Sequence, residues 1–109
     1  MDNKKVKIIP PEKRTEKYWA LLNTVIDPEI GIGIVDLGLV YNVEIKDQEA
    51  TVTMTLTSTA CPVGPTIIHG VEEEAEQIEG VKKVSINLVW DPAWTADRIN
   101  PDVRAMMGI

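Results

Sequence analysis

Cys61 is the only cysteine in the chain, and it stands in Ser58-Thr59-Ala60-Cys61-Pro62, where a strand pattern gives way to a helix pattern. A thiol at the start of a helix sits beside unpaired backbone N–H groups and the positive end of the helix dipole. Both favour the thiolate and make it a better nucleophile or metal ligand. The other reading of such a cysteine is a small buried hydrophobe. A single cysteine excludes an internal disulfide, a single-chain zinc ribbon, a thioredoxin motif and a four-cysteine cluster site. His69 is the only histidine. Eight helical residues, about 12 Å of rise, separate it from Cys61, so the two cannot form a pair within one subunit and His69 reads as a surface residue.

Carboxylates flank a loop upstream, in Asp27-Pro28-Glu29-Ile30 and in Val35-Asp36-Leu37-Gly38-Leu39-Val40. Loops beside strand ends often carry function, which makes Asp27, Glu29 and Asp36 site candidates; the plainer reading has Asp27 ending a helix and Asp36 turning the chain. Gly31-Ile32-Gly33 is no dinucleotide loop, because Asp36 stands where a third glycine is needed and a helix precedes it. Trp90-Asp91-Pro92-Ala93-Trp94 holds two of the three tryptophans. Trp90 continues an apolar strand face and is expected in the core. Trp94, past the proline, either caps the core or anchors a partner.

The elements that must position these groups follow from periodicity. Tyr18, Leu21, Leu22, Val25 and Ile26 recur at helical spacing, and Asp27-Pro28 is expected to stop that helix. Leu39, Tyr41, Val43 and Ile45 alternate with Val40, Asn42, Glu44 and Lys46 as a strand. A second strand sets Ala50, Val52, Met54 and Leu56 against Thr51, Thr53, Thr55 and Thr57, forming an antiparallel hairpin with the first. Pro62 suits the first position of a helix with the apolar stripe Val63, Ile67, Ile68, Val71, Ala75 and Ile78, ended by Gly80. A third strand carries Val84, Ile86, Leu88 and Trp90 on one face, and Asn100-Pro101 opens a short last helix before Gly108.

The order helix, strand, strand, helix, strand, helix predicts an α/β (α+β) two-layer sandwich: a small mixed three-stranded sheet with the helices mainly on one face. The threonine row on the other face is expected to be wet or to lie in an oligomer interface. Residues 1–14 read as a mobile basic leader and 15–109 as one domain. Residues 1–17 carry a balance of +3, which leaves −9 for the remainder. So acidic a body repels phosphate backbones and argues against nucleic acid as a partner. No apolar run reaches the length of a membrane span, and no secretory signal is seen, so a cytoplasmic, membrane-free protein is expected.

In order along the chain, Asp27-Pro28-Glu29-Ile30, Ile34-Val35-Asp36-Leu37-Gly38-Leu39-Val40-Tyr41, the Thr57 to Pro62 segment and Trp90-x-Pro92-x-Trp94 resemble the iron-sulfur cluster assembly accessory proteins, the SufT-like and PaaD-like group. The resemblance covers roughly residues 15–109. It implies the fold of the iron-sulfur cluster assembly domain superfamily and a role in maturing iron-sulfur proteins. Members of the group generally carry a cysteine in the segment corresponding to Ser58 through Pro62, here Cys61, which favours the reactive reading, with Thr57, Ser58 and Thr59 as supporting candidates. PaaD-like members commonly carry a cysteine-rich C-terminal segment; with no cysteine after Cys61, the stand-alone SufT-like type is preferred.

The expectation is therefore a non-enzymatic factor that delivers clusters to client apoproteins, or helps insert them, with Cys61 as transient ligand. An iron-sulfur cluster or iron would be held in passing and none stably bound. Partners would be client apoproteins and cluster-assembly proteins, with a homodimer as a further expectation. The alternatives are a client-binding adapter that never holds a cluster and a thiol enzyme with Cys61 as nucleophile, for which no base is visible.

Overall fold

A computed structural model describes residues 7–58 and 62–108 of the chain. Among them a first helix, α1 (Lys17–Leu22), leads into a two-pair antiparallel ladder of β1 (Ile26–Asp27) and β2 (Ile32–Gly33). The main sheet follows as the hairpin β3 (Val40–Lys46) and β4 (Glu49–Met54), the helix α2 (Gly64–Ala75) and the strand β5 (Lys83–Leu88), and α3 (Pro101–Met107) closes the order. Strands lie in the order β3-β4-β5, with β3 antiparallel and β5 parallel to β4. This is the expected mixed three-stranded sheet, and the α2 crossover is what permits the parallel neighbour.

Trp19 and Leu22 of α1 and Ile67, Val71 and Ala75 of α2 share one apolar cluster with Val40, Val43, Val52 and Met54 of the sheet. Both helices therefore cover the face that the strand alternation marked as apolar. No helix among the described residues is long and apolar enough to cross a membrane.

Four local expectations are corrected. The first helix stops at Leu22 rather than at Asp27, because Thr24 Oγ1 turns back onto Leu21 O and Val25 O is taken by Ile34 N. The second long helix begins at Gly64, with Pro65 rather than Pro62 in its first turn. In β3 a register shift between Val40 and Asn42 sets Val40 opposite Met54 and breaks the alternation. Val40 then joins the core, while Tyr41 is buried apart from it, its hydroxyl donating to Pro92 O and Arg98 lying over its ring. Finally, the threonine row is not uniformly wet, since Thr53 and Thr55 are 6% and 0% exposed within the single chain. Thr53 lies opposite Asn42, whose Nδ2 donates to Lys7 O; Ile9 N donates to Tyr41 O, so residues 7–9 run beside this part of β3.

Candidate functional site

The loop between α1 and β3 is assembled around two carboxylates. Asp27, only 2% exposed, accepts from Glu29 N at its Oδ1 (2.8 Å), and its carbonyl accepts from Gly31 N (2.7 Å). Its side chain thus closes the turn between β1 and β2. Gly31 completes that turn at φ +81°. Glu29 is exposed on it, flanked by the exposed Ile26 and Ile30. Asp36 is bound to Asn23, with Asn23 Nδ2 donating to Asp36 Oδ2 (3.0 Å) and Asp36 N donating to Asn23 Oδ1 (2.9 Å). This pair joins the end of α1 to the turn that feeds β3. Gly33 lets it form, since a Cβ there would lie 2.2 Å from Asn23 Oδ1.

Residues 35–38 are held from two further directions. Arg14 Nη1 donates to Val35 O (3.1 Å), and its guanidinium also lies 5.2 Å from the centre of the Trp19 ring. Burial pulls the Arg14 pKa down from its ordinary value, and Asp36 and Glu12 pull the other way. From the C-terminal side, Trp94 Nε1 donates to Leu37 O (2.7 Å) and Asn100 N to Asp36 O (2.7 Å). Gly38, at φ +80°, lets Arg98 O approach to where a Cβ would be 2.2 Å away.

This braced loop lies at the end of the sheet from which β4 exits. Thr55 N donates to Leu39 O (2.8 Å), so the first residues beyond β4 run alongside the turn that carries Asp36. Thr57 is half-buried and Ser58 exposed; Thr59 and Cys61 lie outside the described residues. The chain is described again from Pro62, and a Cβ on Gly64 would be 2.8 Å from Leu56 Cδ1. The residues that follow the strand and the start of α2 are therefore in contact, on either side of residues 59–61.

Among the described residues no three His, Cys, Asp or Glu side chains gather as a metal site. His69 is exposed on α2 beside Glu72 and Glu73. Of the two tryptophans, Trp94 takes the core-capping place and Trp90 departs from the expected core position. Trp94 packs against the core with its indole N–H used, whereas Trp90 is 42% exposed because β5 ends two residues before it. Asn23 and Arg14 were not singled out by the sequence. An Asn-Thr pair breaking an apolar helical run was the available signal for Asn23; Arg14 left none beyond its charge.

Residues 16–88 match the family model described as iron-sulfur cluster assembly protein. The Fe-S protein maturation auxiliary factor YitW of Bacillus subtilis is 38% identical over 90% of this chain and 97% of its own. The Fe-S protein maturation auxiliary factor SufT of Staphylococcus aureus is 45% identical over 78% of this chain and 98% of its own. The solved DUF59 domain of Bacillus anthracis superposes with a TM-score of 0.79 at 38% identity, covering 85% of this chain and 90% of that one.

Proposed function

The chain belongs to the iron-sulfur cluster assembly protein family, and from that premise we propose that it is a non-catalytic accessory factor in iron-sulfur protein maturation, delivering clusters to client apoproteins or helping insert them, with Cys61 as a transient ligand. One juxtaposition carries the reading: Leu56 and Gly64 meet at the base of the segment containing Cys61, beside a loop braced by Asn23, Arg14, Trp94 and Asn100. A braced loop beside the two ends of a segment that carries a single thiol suits a docking point for cargo that is passed on. Clusters usually take four protein thiolates, so one cysteine cannot build a closed site, and the client's thiols would complete the ligand set as the cluster leaves.

The carboxylates of the loop support this reading over thiol catalysis. Asp27 accepts from Glu29 N and Asp36 from Asn23, so both act as braces of the turn rather than as bases for a nucleophile. Glu29, on the exposed turn, and Thr57, Ser58 and Thr59, next to Cys61 in sequence, are the residues assigned to the docking rim.

The test is anaerobic reconstitution with iron and sulfide, read by absorption and by transfer to an apoprotein whose activity depends on its cluster. The wild-type protein is expected to take up and release a labile cluster, and Cys61→Ser to lose both properties. An iron-free wild type that still promotes maturation would turn the assignment to a client adapter. A Cys61→Ser protein as effective as wild type would remove the thiol from the mechanism.

A further inference from the structure

β5 is an outer strand of the sheet, with β4 on one side only. Lys82 N and Lys83 N share Gln48 O at the start of the strand, and Val89 N donates to Met54 O at its end; in the parallel register with β4 the odd-numbered residues therefore direct their backbone groups to β4. The even-numbered Val84, Ile86 and Leu88 therefore turn their N–H and C=O groups outward. Among the described residues no backbone hydrogen bond reaches those groups from beyond the sheet. The strand has neither a proline nor a register shift to blunt its edge. The opposite edge differs, because residues 7–9 already occupy part of β3 through the bond from Ile9 N to Tyr41 O.

We infer that the open edge of β5 binds β5 of a second copy of this chain, antiparallel about a two-fold axis at Ile86, making one six-stranded sheet. In this register Ile86 meets the partner's Ile86 and Val84 meets the partner's Leu88. Every outward N–H and C=O of the three residues then finds a mate. The side chains of Val84, Ile86 and Leu88 lie on the helix-bearing face and are only half-buried in one chain, so the pairing also covers apolar surface.

The charges identify the occupant. Lys82 and Lys83 are two of only five basic residues in residues 18–109, and both are exposed at the start of β5. Trp90 and Asp91, both exposed, follow its end. An antiparallel copy centred on Ile86 brings the Lys82-Lys83 end of each β5 to the end of the other from which Trp90 and Asp91 follow. The strand thus complements itself when reversed.

The experiment uses the iron-free full chain, so its outcome is independent of cluster handling. Light scattering in physiological salt is expected to show a mass rising with concentration to twice 12.1 kDa. Lys82→Glu with Lys83→Glu is expected to weaken self-association roughly tenfold, and adding Asp91→Lys to recover much of it. In a Cys61→Ser background, Ile86→Cys is expected to form a disulfide-linked dimer under mild oxidation, while Ile45→Cys on β3 is not. A single-chain mass up to the solubility limit overturns the inference, as does a dimer that is indifferent to the charge changes and cross-links through Ile45→Cys. A chain that dimerises only once residues 1–6 are deleted would assign the edge to the N-terminal segment and equally overturn it.

Discussion

Asn23 and Asp36, thirteen residues apart, exchange two hydrogen bonds: the carboxamide nitrogen of Asn23 donates to the Asp36 carboxylate, and its oxygen accepts from the Asp36 main-chain N–H. One side chain thereby ends a helix and sets the turn into the first strand of the main sheet. Asn23→Ala leaves both Asp36 groups short of a partner and is expected to lower the unfolding free energy by about 1–3 kcal/mol. Denaturant titration reads the loss, and hydrogen exchange is expected to quicken at residues 34–38 ahead of the strands.

Two glycines with nearly the same backbone angle are expected to respond differently to alanine. Gly31, at φ +81°, has open space where a Cβ would go, so Gly31→Ala carries only the left-handed strain of about 1–2 kcal/mol. Gly38, at φ +80°, adds a clash with Arg98 O, and Gly38→Ala is expected to cost about 2–5 kcal/mol. Equal shifts in the urea midpoint would show that the C-terminal segment does not press on Gly38.

Stability is expected to decline in alkali. Burial pushes the Tyr41 phenol above its ordinary value, outweighing the opposite pull of Arg98, and burial likewise raises Tyr18. An unfolded phenol loses its proton first, near pH ~10. The stabilisation is therefore complete below that pH and is lost as pH rises through the folded values. Urea midpoints measured from pH ~8 to ~11 are expected to fall more steeply for wild type than for Tyr41→Phe, whose remaining slope comes in part from Tyr18.

The tryptophans separate by access. Trp19 is buried and Trp94 packs against the core, whereas Trp90 is exposed. At high dilution, acrylamide is expected to quench mainly Trp90, and Trp90→Phe to remove most of the quenchable emission. If Trp94→Phe removes it instead, the bond from Trp94 Nε1 to Leu37 O is not formed in solution.

The three helices, the three strands of the main sheet, their order and the apolar face of that sheet were legible in the sequence, because alternation in Ala50, Val52 and Met54 and the stripe Ile67, Val71 and Ala75 record which side chains must leave water. The two-residue ladder of β1 and β2, by contrast, reads as a loop in the sequence. The position of Cys61 between a strand pattern and a helix pattern was equally plain. Local spacing could not show that α1 ends at Leu22, that the bulge places Val40 in the core and Tyr41 outside it, or that Trp94 rather than Trp90 is held against the core. Each of those outcomes depends on partners far along the chain: Asp36 for Asn23, Pro92 for Tyr41, Leu37 for Trp94. The same holds for Asp27 and Asp36, whose residue types suggested chemistry and whose hydrogen bonds make them braces of a turn. Periodicity reports a preference for burial that every residue carries by itself, whereas a hydrogen bond exists only after the chain has closed on its partner, and that closure leaves no mark on local composition.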